Sequence, residues 1–249
     1  MNAPRAIALC QCFNGALEFQ AGHWAEAEQS LRESIQLYRQ IGAASGEALA
    51  WQRLGVLQTA RGRLDEAMTC LQEGISVAER AVMRAHCLAR LYATMARNRL
   101  MAGDVEAAAH YLSPGLAMSE RHGQCTTCDA LLLPVAVSVH IAQGNLPLAE
   151  TYCQLLEETA EKYVSQVWMA MARQTRGELA AAQGDLNNAL ACYSQAQAAL
   201  TAAGNLYEAA HCMAAMADLR RARNAPGDAE AARAAQLEAQ QIFERLRAI

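Results

Sequence analysis

Apolar side chains along the chain recur three and four positions apart, and nowhere do they alternate with period two. The pattern predicts helices throughout and no sheet. A short punctuation mark divides those helices: a small or polar residue, Gly, two variable residues, and then Ala five positions after the Gly. It reads AGHWAEA from Ala21, RGRLDEA from Arg61, AGDVEAAA from Ala102, QGNLPLAE from Gln143 and QGDLNNAL from Gln183. The glycines Gly22, Gly62, Gly103, Gly144 and Gly184 are 40 or 41 residues apart, each followed by its alanine: Ala27, Ala67, Ala108, Ala149 and Ala189. A divergent sixth copy, APGDAEAA with Gly227 and Ala232, follows a small insertion at Arg223 to Pro226.

Each element of that mark has a mechanical reading. Gly ends one helix by adopting the left-handed backbone, and the Asp or Asn beside it starts the next. Pro147 falls in a first turn, where its missing N–H costs little. The Ala marks a helix crossing, and a large side chain follows four positions later: Leu31, Leu71, Leu112, Cys153, Tyr193. Each unit is therefore an antiparallel helix pair that cannot bury its own apolar face and must stack on its neighbours. The expected fold is all-α: a right-handed superhelical solenoid of about six antiparallel helix pairs, forming one continuous domain over residues 1–249. Its repeats fall at about 5–42, 46–82, 86–122, 127–163, 167–203 and 207–247.

These motifs resemble the tetratricopeptide repeat over nearly the whole chain. A period near 40, longer than the usual ~34, resembles the MalT-like branch, as does the wording of LYRQIGAASGEALAWQRLGVLQTARGRLDEAMTCLQEGI and NLYEAAHCMAAMADL. The resemblance implies a sensor or scaffold region of a cytoplasmic bacterial transcriptional regulator, binding a protein partner or a small-molecule effector. No helix-turn-helix and no GxxxxGK[ST] phosphate loop accompanies it.

Composition narrows the function classes. The chain has 249 residues, is 53% hydrophobic and only 5% aromatic, and carries a formal charge of −4. It lacks the basic excess of a nucleic-acid binder. Lys162 is the single lysine, which removes most routes to Schiff-base chemistry. The longest apolar run, Ala130 to Ala142, is broken by Pro134, Ser138 and His140 and is too short to span a bilayer. MNAPRAIALC lacks the apolar stretch of a signal peptide. A cytoplasmic protein with no membrane span is expected. No Ser–His–Asp or paired-carboxylate set stands out, so no catalytic residue and no enzyme activity are expected. The nine scattered cysteines read as free thiols or metal ligands.

One segment breaks the rhythm. SERHGQCTTCDALLLP holds His122, Cys125 and Cys128, and Cys-x2-Cys can set two thiolates on one tetrahedral metal. Cys128 lies sixteen residues before Gly144, and Cys87 the same distance before Gly103. On adjacent first helices these equivalent positions suggest a site of Cys87, Cys125 and Cys128, completed by His122 or His86, for zinc or another soft ion. It would serve as a structural clamp or as a metal- or thiol-responsive sensor. Pro114, Gly115, Gly123 and Pro134 are expected to interrupt the helices around it. Cys70, Cys153, Cys192 and Cys212 read as packing residues.

Alignment on the glycines places Gln52, Arg90, Arg97, Gln174 and Glu178 on a groove lined by first helices, with Arg90 and Arg97 seven apart and suited to a carboxylate or phosphate. The last helix has a polar side, with Glu230, Arg233 and Glu238, and an apolar side, with Leu237, Ile242, Phe243 and Leu246. The first helix is apolar from its start (Ile7, Leu9, Phe13, Leu17). That suggests a fragment of a larger protein, or a first repeat packed on a covalent N-terminal domain, a partner or a second copy.

Overall fold

The computed structural model describes residues 3–123 and 125–248. Twelve α-helices run through them, and no strand occurs among the described residues: α1 (Pro4–Ala21), α2 (Trp24–Gln40), α3 (Ala44–Ala60), α4 (Leu64–Ala78), α5 (Arg84–Met101), α6 (Val105–Arg121), α7 (Thr126–Ala142), α8 (Leu146–Lys162), α9 (Gln166–Ala182), α10 (Leu186–Ala202), α11 (Leu206–Arg223) and α12 (Asp228–Leu246). The sequence reading takes them as one continuous solenoid; the helices group into two compact units, one up to Val135 and one from Ala136 to Ala248. None of the helices is long and apolar enough to cross a membrane.

The turn between α5 and α6 shows why Gly and Asp recur together. Gly103 adopts φ +76°. Its N–H donates to the carbonyl of Leu100, and the N–H of Asp104 donates to that of Arg99, both at 2.9 Å. The Asp104 side chain then accepts the free N–H of Ala107 at 2.9 Å, so both orphaned helix ends are satisfied within three residues.

In the first unit, α1–α2, α3–α4 and α5–α6 form packed pairs, and the first helices α1, α3 and α5 also touch in succession. The repeat alanines Ala27, Ala67 and Ala108 are fully buried. A second small residue, which the periodicity did not single out, lies opposite. A Cβ on Gly15 would sit 2.7 Å from Leu31 Cγ, and one on Gly55 would sit 2.5 Å from Leu71 Cδ2. Glycine is tolerated there in mid-helix because the partner leucine occupies the place of its side chain. Polar links act within a pair and between pairs: Ser34 Oγ on α2 donates to the carbonyl of Ala8 on α1 at 2.8 Å, and Arg53 Nη1 on α3 donates to that of Cys12 on α1 at 2.9 Å. On α1, Ile7, Leu9, Phe13 and Leu17 are roughly half exposed, with the Arg53 guanidinium 4.7 Å above the Phe13 ring.

The second unit repeats the scheme. Ala149 and Ala189 are fully buried and Ala232 nearly so. Gly177 faces Tyr193, 2.9 Å from a would-be Cβ to Cδ2. Val137, Ala149, Cys153 and Leu179 share one core cluster. Arg176 on α9 lies between two carboxylates of α8, at 2.8 Å from Glu150 and 2.7 Å from Glu157. Along α12, Leu246 is buried while Leu237 is 58% exposed. This corrects the expectation that both lie on one apolar side, since nine residues on a helix leave them half a turn apart, on opposite faces.

Helices run unbroken through Pro114 in α6 and Pro134 in α7, which corrects the expected interruptions. Gly115, beside Pro114, is likewise a packing residue; a Cβ there would lie 2.8 Å from Leu132 Cδ2.

The insertion before α12 closes on a charged clasp. Arg223 donates to both carboxylate oxygens of Asp228, at 2.9 and 2.6 Å, and the N–H of Ala225 donates to Asp228 at 2.9 Å. The Arg223 hydrogen bond, opposed by desolvation and helped by the Ala225 N–H, holds the Asp228 carboxyl down at about 2 against an ordinary 3.8. A depressed carboxyl contributes its stability above the unfolded value and loses it as pH falls through the folded one. Asp228→Asn is therefore expected to lower the urea midpoint above about pH 4 and to converge with the parent near pH 2. A gap that stays constant over that range would assign the effect to packing.

Candidate functional site

Three side chains from two helices of the first unit converge. His86 stands in the first turn of α5, Cys125 immediately precedes α7, and Cys128 lies in the first turn of α7. Their ligand atoms all lie within 4.8 Å of one another. His86 Nδ1 is 3.2 Å from Cys128 Sγ and 3.4 Å from Cys125 Sγ. The backbone folds the two cysteines together: the N–H groups of Cys128 and Asp129 donate to the carbonyl of Cys125 at 2.7 and 2.9 Å. From α5, Arg90 Nη1 donates to the carbonyl of Thr127 at 2.9 Å, tying the helix that carries His86 to the turn that carries the cysteines. His122, exposed at the end of α6, has its ring centroid 5.4 Å from that of His86.

Electrostatics differ sharply among these groups. Burial, with the nearby charges of Arg90 and His122, pushes His86 down to about 4, so its ring is neutral at pH 7. Burial raises the Cys128 thiol, reinforced by Cys125. Burial also acts to raise Cys125, but hydrogen bonds from the Thr127 hydroxyl and the start of α7 outweigh it and leave that thiol below its ordinary value. Beside them, Ser119 donates to Asp129, whose carboxyl is raised by burial.

Cys87 stands apart from this group. Its side chain is fully buried, its thiol is pushed up to about 11 by burial, and its Sγ lies 3.6 Å from the carbonyl of Ser45 on α3. Cys128 makes the same contact one repeat on, with Sγ 3.8 Å from the carbonyl of His86. Repeat-equivalent side chains are related by a step along the stack, so they point the same way and not at each other. Cys128 consequently meets the residue one before Cys87. Among the other thiols, Cys70, Cys153 and Cys212 are buried as read from the sequence, whereas Cys192 is half-buried and bonded to Asn188 at 3.6 Å.

The five groove positions divide. Gln52 is 2% exposed, and its Nε2 donates to Thr94 Oγ1 at 2.8 Å, joining α3 to α5. It is an interior link, a correction with a simple cause: its position on the helix faces the neighbouring first helix. Arg90 is half-buried, with Nη1 on Thr127 and its buried Nε without a hydrogen-bond partner. Burial lowers its pKa, and the charge of Arg53 on α3 adds to that shift. Arg97 is exposed. In the second unit Gln174 is half-buried and donates to Glu208 at 3.3 Å, and Glu178 accepts from Ser138 at 2.8 Å.

A family model, the MalT-like TPR region, matches residues 5–200. The chain belongs to that family. Comparison with curated proteins finds no match. Among solved structures the TPR chain is similar to a Rap protein complexed with Competence and Sporulation Factor, with a TM-score of 0.74 at 15% identity, covering 99% of this chain and 66% of that one. It is also similar to BtubC from P. vanneervenii, with a TM-score of 0.56 at 17% identity, covering 92% of this chain and 91% of that one. The Cut9–Hcn1 hetero-tetramer of the APC/C gives a TM-score of 0.65 at 16% identity, covering 98% of this chain and 44% of that one. At such identities the likeness establishes the fold, a TPR-type helical solenoid suited to protein binding.

Within the TPR register, the signal for His86 was legible. The residue seventeen before the turn glycine of one repeat meets the residue sixteen before the glycine of the next, as Ser45 meets Cys87 and His86 meets Cys128.

Proposed function

We propose that this TPR chain is a non-catalytic binding scaffold, the sensor region of a cytoplasmic bacterial regulator, and that it takes a carboxylate-bearing protein segment on its first helices. The observation that carries this is α5. In a chain of net charge −4 this helix holds four arginines, Arg84, Arg90, Arg97 and Arg99, and no acidic residue. Arg90 and Arg97, two turns apart, share one face, and Arg53 of the adjacent first helix reinforces it. Guanidinium groups on a partly desolvated surface suit carboxylates, which they grip with paired hydrogen bonds. The Rap and Cut9 structures, each solved with a partner, support protein recognition by this fold. Recognition would be passed to a neighbouring domain through the stacked pairs.

A displayed library of random peptides, panned on the purified chain, is expected to enrich Asp and Glu. The selected peptide, labelled for fluorescence polarisation, should bind Arg97→Glu at least tenfold more weakly, a change of about 1.4 kcal/mol, with an unchanged helical circular dichroism spectrum. Enrichment without acidic residues, or equal binding to Arg97→Glu, would overturn the reading.

A further inference from the structure

The geometry points to a soft-metal site, ligated by His86 Nδ1, Cys125 Sγ and Cys128 Sγ with His122 as fourth ligand, that clamps α5, the end of α6 and the start of α7. This goes beyond the scaffold reading and does not depend on it.

The first argument is the crowding at one nitrogen. An imidazole nitrogen has one in-plane position for a hydrogen-bond partner. Here two sulfurs approach Nδ1 of His86, at 3.2 and 3.4 Å, and that nitrogen can hydrogen-bond to only one of them at a time. A shared cation satisfies both. In a tetrahedral zinc site, bonds of about 2.3 Å to sulfur and 2.0–2.1 Å to nitrogen place S and N about 3.6 Å apart. The observed separations are within a few tenths of an ångström of that figure, so ligation needs only a slight spreading of groups already in place.

The second argument is how the donors are held. His86 comes from a regular helix, and the two cysteines from a turn closed by two backbone hydrogen bonds to the Cys125 carbonyl. Arg90 fastens that turn to α5. Side chains positioned by rigid elements on both sides need little ordering when an ion arrives.

The donor set names the ion class. Two thiolates and one or two imidazoles select Zn²⁺ over Mg²⁺ or Ca²⁺, which take oxygen ligands. His122 stands on the solvent side, its ring 5.4 Å from that of His86; it lies outside the three converged donors and would have to turn its exposed side chain to supply the fourth ligand. On binding, the two thiols release their protons to solvent, and the His₂Cys₂ site with Zn²⁺ is neutral.

The test uses the full chain, purified under reducing conditions, stripped with a chelator and titrated with Co²⁺. The expected result is one equivalent per chain, with the near-ultraviolet sulfur-to-cobalt charge-transfer band and the visible bands of a tetrahedral thiolate site, all displaced by Zn²⁺. Cys125→Ser, a half-exposed substitution that leaves the fold intact, should abolish the bands. His122→Ala should weaken binding by more than the ~10–100-fold that an outer-shell partner contributes. Cys87→Ala should leave the stoichiometry at one. No charge-transfer band in the fully reduced parent, or an unaltered titration in Cys125→Ser, would overturn the site. Loss of the ion in Cys87→Ala would overturn the ligand assignment, and unchanged affinity in His122→Ala would overturn the fourth ligand.

Discussion

Replacing Leu71 by alanine is expected to cost about 2–5 kcal/mol, the range for removing a leucine from a core that only partly collapses, measured as a fall in the urea midpoint. Leu71 is fully buried, at the crossing of α3 and α4. It shares a cluster with Ala48, Leu88 and Leu91, so one side chain serves three helices of the first unit. What makes the site diagnostic is Gly55, where a Cβ would stand 2.5 Å from Leu71 Cδ2 and 2.7 Å from its Cγ. Gly55→Ala alone should therefore destabilise by about 1–3 kcal/mol through overpacking, despite the ~1 kcal/mol that alanine gains over glycine in a helix. In the Leu71→Ala background the obstacle is gone, the added methyl fills part of the cavity, and the same change should stabilise. A reversal of sign in the double-mutant cycle identifies close helix approach as the reason for the glycine; equal destabilisation in both backgrounds would show that Gly55 answers to something else.

Asn98→Leu is the second large effect. Asn98 is fully buried on α5, and its Nδ2 donates to Thr59 Oγ1 on α3 and to the carbonyl of Leu64 on α4, both at 3.1 Å, while its Oδ1 accepts from Arg99 Nε at 2.9 Å. Leucine has the same branched outline, so no cavity forms and most of the cost comes from stranded polar groups. Thr59, itself 3% exposed, is left with a hydroxyl lacking this donor. A loss of about 1–3 kcal/mol is expected, the usual penalty for an unsatisfied buried group. Adding Thr59→Val should recover part of it, because removing both partners of a buried hydrogen bond is far milder than removing one. If the double variant is no more stable than Asn98→Leu, the bond between α3 and α5 is not what Asn98 contributes.

Both sites show how the repeat can be read and where reading stops. Ala27, Ala67, Ala108, Ala149 and Ala189 stood out because their spacing from the turn glycine never varies, and all five are fully buried. Their counterparts Gly15, Gly55 and Gly177 did not stand out, because other repeats use Ala96 or Val137 at that register. The distance between two helices is a joint property of two side chains, and one side of the pair varies to suit the other. Gln52 reads as a groove residue, yet it is interior, as is the polar Asn98. A polar side chain is stable inside whenever a neighbouring repeat supplies its partner, and partners some 40 residues away are invisible to local periodicity.

The amino-acid order by itself determined the helical pairs, their boundaries, the fully buried alanines and the placing of two cysteines on one turn. These follow from local physics: glycine's access to the left-handed backbone, capping by Asp and Asn, and the 3.6-residue period of the apolar face. Only the tertiary structure decided that His86 and not Cys87 meets those cysteines, that Gln52 lies inside, and that α6 and α7 pass unbroken through their prolines. The first two depend on the direction in which one helix presents a side chain to the next. A step along a stack preserves that direction, so equivalent residues run parallel and each meets the neighbour of its own counterpart.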